Sequence, residues 1–390
     1  MRKKVITLVA VAIVGGQAFA LARPLAPLQP VKASVAVSAA PKTALPWPNY
    51  GQGAMGAAGY GVLETSRAQA PVPIASVTKI ITALAVLKQK PLKPGQPGPT
   101  ITLDSADVAS FEYYYLNNGS VSKVTSGGKM SQYQALQAML IPSSNNMADS
   151  LVRWAFGSTE NYRVYANKMV KDLGMDKSTV GSASGFSKET KSTARDLVLL
   201  GLAVLNEPVV AGIVASEKAD LPVAGPVSST NWLLGTDGFT GIKTGSTDAA
   251  GGCFLFTSQR LVQGRKVTVV GAILDAPSRN AALSDSRLVA RASDTAFGLA
   301  EPVRTGQTVG TYRLPWGGTA TAIAKQDLSL LTWQDTKPVI ALSLQPLKAP
   351  ADKNESVGTV SISANGQKAS SPVILKEAVP GPSWRWRLWP

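Results

Sequence analysis

The chain has 390 residues, 45% of them hydrophobic, which is enough for a large core and a second domain. It carries 39 Lys and Arg against 24 Asp and Glu, a formal charge of +15, yet no dense basic run and no RNA-binding aromatic signature, so no nucleic-acid partner is expected. With no histidine and one cysteine, it can form no Ser-His-Asp triad, no intrachain disulfide and no zinc site of cysteine and histidine, and no metal or cofactor is expected.

Met1-Arg2-Lys3-Lys4 precedes an apolar stretch from Val5 to about Ala22 that ends on small residues. This reads as a secretory signal over residues 1–22, with an uncleaved anchor as the alternative, and places the rest of the chain outside the cytoplasm. Residues 23–48 are rich in Pro, Ala and Val and read as an extended or disordered linker. Tyr60–Thr65 reads as a strand. The apolar run Ile80–Leu87 reads as a buried helix opening at Ser76 and ending before the Pro/Gly-rich 91–99. Helical spacing recurs over 130–140, 145–156, 161–173 and 193–205. Runs at 254–258 and 266–274 flank Gln263-Gly264 as a hairpin, and 278–299 closes the region as a helix.

Helices clustered between early and late strands predict an α/β (α+β) domain over 49–300 with one mainly antiparallel sheet. Beyond Ala300, short alternating runs at 308–314, 339–344, 356–363 and 373–376, with no long helix, predict a small all-β domain over 301–380. A Trp/Arg tail, 381–390, follows. Cys253 lies in the apolar run Gly251–Phe256 and reads as a buried structural thiol.

Three short motifs carry the chemistry. In Ser76-Val77-Thr78-Lys79 the serine and lysine are neighbours on one helical face. A serine hydroxyl needs a base within hydrogen-bond reach. Lys79 can be that base if burial and nearby positive charge lower its pKa from the ordinary ~10.4. The backbone N–H of Ser76, in the first turn, can face a developing oxyanion. Ser143-Ser144-Asn145 sits in a loop between two helices. Ser143 can relay a proton to the leaving amine, and Asn145 can orient Lys79 or bind a substrate amide. Lys243-Thr244-Gly245 sits at a sheet edge. Lys243 offers a fixed cation to an anionic substrate end, Thr244 a hydroxyl, and Gly245 room for close approach of substrate backbone. The bland alternatives are a plain N-cap at Ser76, caps after Pro142, and a strand end at Lys243. A first-turn lysine, however, stands on the wrong side of the helix dipole, and the three motifs occur together in order.

These segments resemble the D-alanyl-D-alanine carboxypeptidases, the low-molecular-mass penicillin-binding proteins. The likeness runs through 74–80, then through 139–148 with Ser144 and Asn146 where the family usually has glycine and aspartate. It continues through 173–175, 192–197, 231–234 and 238–252. Leu347–Pro350, Val357–Val360 and Gly366-Gln367 resemble the family's small β domain. The resemblance implies a penicillin-binding/β-lactamase-like catalytic domain and an acyl-enzyme on Ser76, with Lys79 as base and Ser143 as relay. It also implies a terminal carboxylate held by Lys243 and Thr244, and an oxyanion hole of the Ser76 and Ser246 N–H groups. Ser246 stands where the family commonly has histidine.

The implied partners are peptidoglycan stem peptides ending in D-Ala-D-Ala and β-lactam antibiotics. A membrane surface could be met by the N-terminal segment or by Trp384–Trp389, whose alternative reading is a last β-strand. Two other functions stand beside this one. A class A β-lactamase shares the motifs, but no Glu-x-x-Leu-Asn segment lies between the second and third. A catalytically silent wall-binding protein would not need complete motifs.

Overall fold

The computed structural model describes residues 21–37 and 42–389. The expected signal segment lies, but for its last two residues, outside them. The described chain divides into two units, Thr43–Phe297 and a second made of Gly298 onward with the segment before Thr43.

The first unit is built on a five-stranded antiparallel sheet. Its order is Phe239–Thr247, Gly251–Val262, Arg265–Ala276, Gln52–Ala57, Gly61–Ser66. The strands alternate in burial partners. Ile242, Leu255, Val270 and Ala272 join the core formed with the helices, while Phe239, Phe254 and Phe256 pack ring against ring. Such alternation is what a sheet covered on both faces requires. The hairpin turn Gln263-Gly264 has positive φ at both residues (48° and 74°), the twist that suits a two-residue loop. The helix Arg279–Ala296 packs on the two longest strands.

At the centre of the helical layer is Thr78–Gln89, buried from Thr78 to Leu87. A helix apolar all round has to be interior. It does not open at Ser76 as expected: Ala75–Val77 form a 3-10 turn, and the α-helix starts at Thr78. Around it lie Gln132–Leu140, Asn145–Phe156, Thr159–Asp172 and Ala194–Leu205, each within two residues of its expected bounds. Two helices were not expected. Ser105–Leu116 is opened by Asp104 in a capping box with Asp107. Pro208–Val214 has the proline at its first turn, where a missing N–H costs nothing.

The second unit contains a six-stranded sheet with Thr308–Arg313, Thr319–Ala324, Gln367–Leu375, Ser356–Ala364 and Val339–Leu344. Its sixth strand corrects the linker reading of residues 23–48: Pro30–Lys32 pairs antiparallel with Thr308–Arg313, and Leu28 is buried and bridges to Leu347. Proline as the first residue of an edge strand costs no ladder bond. The tail is not a strand. Trp384–Leu388 form one short helix capped by Ser383, with the Trp386 ring edge-on to Trp316 and Arg387 donating to the carbonyls of Leu21 and Arg23.

Candidate active site

Ser76 lines a cleft of about 760 Å³ together with Asn145, Gly185, Phe186, Ser246 and Thr247. The turn that carries it is tightly held. Ala75 has φ 45°, outside the range a residue with a Cβ prefers. Two glycines accept its close approach. A Cβ on Gly185 would stand 1.9 Å from the Ala75 carbonyl oxygen, and one on Gly245 would stand 2.9 Å from the Ser76 nitrogen. Gly245 therefore makes room for the nucleophile's own backbone, a use of the residue that its motif alone does not reveal.

Lys79 is fully buried. Its Nζ lies 2.9 Å from Ser76 Oγ, 2.7 Å from Asn145 Oδ1 and 2.9 Å from the Ser184 carbonyl oxygen. As an ammonium it donates to all three. As an amine it donates to the two carbonyl-type oxygens and turns its lone pair to the Ser76 hydroxyl. The same three partners thus serve both protonation states. Burial holds its pKa well below the ordinary lysine value, the nearby Lys243 cation adds to this, and Asp149 opposes it. Of the two roles left open for Asn145, orienting Lys79 is the one its side chain occupies here.

Ser143 is buried, in a left-handed conformation (φ 68°) directly before the Asn145–Phe156 helix. Among the described residues no hydrogen bond joins its side chain to Ser76 or Lys79. The departures at Ser144 and Asn146 have a local reason. Ser144 Oγ pairs with Ser122 Oγ at 2.5 Å. Asn146 accepts from the Ser122 N–H at 3.0 Å and donates to its carbonyl at 2.9 Å, a pairing that a carboxylate could only half make.

Lys243 and Thr244 lie on the sheet's edge strand, beside Gly245. They do not line the main cleft; with Thr230 and Asn231 they line a smaller cavity. Lys243 Nζ donates to the Thr244 carbonyl at 3.1 Å, and the Thr244 and Thr230 hydroxyls are 2.5 Å apart. Burial, and then the Arg279 guanidinium, bring the Lys243 pKa down to about 7. Ser246 is exposed at the cleft. Cys253 is fully buried, and burial pushes its thiol up to about 12, so it is no nucleophile. Among the described residues no group of three His, Cys, Asp or Glu could hold a metal ion.

A profile of the D-alanyl-D-alanine carboxypeptidases matches residues 54–278, the whole stretch from the sheet's first strand to the end of its hairpin. The chain belongs to this family. The carboxypeptidase DacC of Escherichia coli is 24% identical over 338 residues, covering 84% of this chain and 83% of the relative. DacF of Bacillus subtilis is 26% identical over 322 residues, covering 78% of each. A D-alanyl-D-alanine endopeptidase of E. coli is 27% identical over 212 residues, and the chain spans 64% of its length.

Two solved structures share the fold. One is penicillin-binding protein 5 of Haemophilus influenzae, with a TM-score of 0.62 and 17% identity over 87% of this chain and all of that one. The other is the Streptomyces K15 DD-transpeptidase, with a TM-score of 0.55 and 25% identity over 67% of this chain and 98% of that one. The fold expected from the order of elements and from the family resemblance is therefore the fold observed.

Sequence reasoning missed Ser184, Gly185, Tyr114 and Asp149. Ser182-Ala183-Ser184-Gly185 is a string of small residues, the composition that a closely approached backbone needs, and that is the only trace it leaves in the sequence.

Proposed function

We propose that the chain is a serine D-Ala-D-Ala carboxypeptidase that removes the terminal D-alanine from peptidoglycan stem peptides and is acylated by penicillin. The observation that carries this is the fully buried Lys79 amine 2.9 Å from the Oγ of Ser76, which lines the cleft. Lys79 takes the Ser76 proton as Oγ attacks the penultimate carbonyl carbon. The backbone N–H groups of Ser76 and Ser246 hold the oxyanion. The C–N bond then breaks, with the proton passing from Lys79 through Ser143 to the departing D-alanine amine. Water, deprotonated in turn at Lys79, attacks the ester carbonyl; the bond between the acyl carbon and Ser76 Oγ breaks and Lys79 returns the proton to Oγ.

Lys243 and Thr244 hold the substrate's terminal carboxylate. Near pH 7 Lys243 is only partly charged, and an incoming carboxylate favours its charged form. Residues 49–300 are the catalytic part, and 301–380 the appended β part. Peptidoglycan lies outside the cytoplasm, which fits the signal reading of residues 1–22. Trp384 and Trp389 are exposed beside two arginines, a composition that suits a membrane surface. No single described helix is long and apolar enough to cross a bilayer.

The test is incubation with a peptide ending in D-Ala-D-Ala. D-alanine is released by the wild type and not by Ser76→Ala. Acylation rises with pH as Lys79 loses its proton, and because its pKa is lowered the rise falls well below pH 10.4. No release by the wild type would sink the carboxypeptidase reading, and fast penicillin turnover would favour a β-lactamase.

A further inference from the structure

The spacing that joins Ser76 to Lys79 continues one step further, to Thr82. Thr82 is fully buried, one turn beyond the base on the same face of Thr78–Gln89, and it has no part in the mechanism above. Its Oγ1 lies 2.7 Å from the Ala183 carbonyl oxygen and 2.7 Å from the Tyr162 hydroxyl, which comes from Thr159–Asp172. The Thr78 carbonyl on its own helix is farther away, at 3.4 Å.

These contacts fix a direction. A carbonyl oxygen only accepts, so the single Thr82 proton lies toward Ala183, and Tyr162 donates its own proton to Thr82. Tyr162 is fully buried, and burial pushes its phenol above the ordinary tyrosine value, so it stays a donor. Lys79 and Thr82, neighbours on one helical face, thus take hold of consecutive carbonyls of a distant segment. Lys79 donates to Ser184 at 2.9 Å and Thr82 to Ala183 at 2.7 Å.

That segment has few other ties. Residues 181–187 belong to no helix or strand, and among the described residues no backbone–backbone hydrogen bond reaches them. Side chains hold them instead. Thr190 Oγ1 accepts from the N–H groups of Gly181 and Ser182, each at 3.1 Å, and Ser182 Oγ accepts from the Gly185 N–H at 3.1 Å. Ser184 Oγ is 3.3 Å from the Tyr114 hydroxyl. Gly185 then packs against the Ala75 carbonyl, in the turn that carries Ser76. Lys79 takes and gives a proton in every turnover, whereas the Thr82 proton takes no part in the chemistry. The bond from the helix that stays the same throughout is therefore the one made by Thr82.

We propose that Thr82 is a positioning residue for acylation: its bond to the Ala183 carbonyl holds the Ser184 carbonyl against the Lys79 amine and Gly185 against the turn of Ser76. This rests on the reading of Ser76 and Lys79 as nucleophile and base. Without the Thr82 hydroxyl the buried Ala183 carbonyl has no donor, and the segment shifts to find one.

The experiment is acylation of the full chain by benzylpenicillin over a range of drug concentrations, beside a thermal melt. The variants are Thr82→Val, Thr82→Ser and Tyr162→Phe. Valine keeps the shape of the side chain and removes the hydroxyl. The maximal rate is expected to fall roughly 10- to 100-fold, while the concentration giving half of it stays in place. Serine keeps the hydroxyl and restores the wild-type rate. Phenylalanine at 162 removes a buried donor of the same network but leaves the Thr82–Ala183 bond. It lowers the melting temperature and leaves the maximal rate within a fewfold of the wild type.

A folded Thr82→Val variant with the wild-type rate overturns the proposal. So does a Thr82→Ser variant that is slow, or a Tyr162→Phe variant slowed as much as Thr82→Val, because the loss then follows stability and not the anchor. If Thr82→Val does not fold, the same change combined with Tyr162→Phe, which leaves no phenol without an acceptor, replaces it, and the Thr82→Ser result decides in either case. A wild type that benzylpenicillin does not acylate removes the reading of the site itself, and the proposal with it.

Discussion

Replacing Lys79 with methionine is expected to slow acylation of Ser76 by roughly 10²- to 10⁴-fold, the range that a positioned general base contributes. Methionine keeps most of the length of the buried stem and fills the same space, but its thioether is far too weak a base to take the Ser76 proton. The hydroxyl then has no base within reach: the residues held nearest, Asn145 and the Ser184 carbonyl, contact Lys79 and not Ser76. The cost in stability is bounded. Two acceptors lose their donor, about 1–3 kcal/mol each if left unpaired, while a charge that burial disfavours disappears. A variant that melts near the wild type yet acylates hundreds of times more slowly is the expected outcome, read by stopped-flow with a chromogenic cephalosporin beside a thermal melt. Acylation within a fewfold of the wild type would remove Lys79 from the base role.

Gly185→Ala is expected to be nearly as damaging without touching any group that does chemistry. Gly185 has φ 74°, where an added Cβ is strained, and that Cβ would stand 1.9 Å from the Ala75 carbonyl oxygen and 2.4 Å from Thr78 Oγ1. Neither neighbour is the free end of a long side chain. The Ala75–Val77 turn must therefore move, and Ser76 with it. The backbone strain alone is worth about 1–3 kcal/mol, and a displacement of the nucleophile near 1 Å costs on the order of 10² in rate. Lower thermal stability with a large loss of acylation is predicted. A variant with wild-type acylation would show that the turn is not braced by this glycine.

The parts of the site readable from sequence are those whose geometry is local. Ser76 and Lys79 share a face because they are three apart, and the uniformly apolar run after them can only be interior. The strand Phe239–Thr247 stands at the sheet edge, where the Lys243 motif is expected. What could not be read depends on distant chain. Ser184 meets Lys79 across 105 residues, and Gly185 acquires its meaning from the carbonyl of Ala75. No short-range pattern encodes either contact.

The missed elements have their own reasons. Ser105–Leu116 fully buries only Asp107 and Tyr114, packs Val108 and Phe111 partly against the core, and leaves Tyr113, Tyr115 and Leu116 exposed, so apolar residues on both faces blur its helical pattern. In the β unit, Leu328–Trp333 is buried almost throughout and lacks the alternation that marks a half-exposed strand. Pro30–Lys32 is too short, and its surroundings too rich in proline, to stand out from a linker. The Lys243 cavity shows a related limit: the motif announces a cation at the sheet edge but not that its amine is buried against Thr244.

The most direct measurement is peptide mapping by mass spectrometry of the protein after treatment with benzylpenicillin. The account predicts one adduct per chain, on the peptide containing Ser76, absent from Ser76→Ala and strongly reduced in Lys79→Met after a short exposure. An adduct on another residue, or none on the folded wild type, would contradict it.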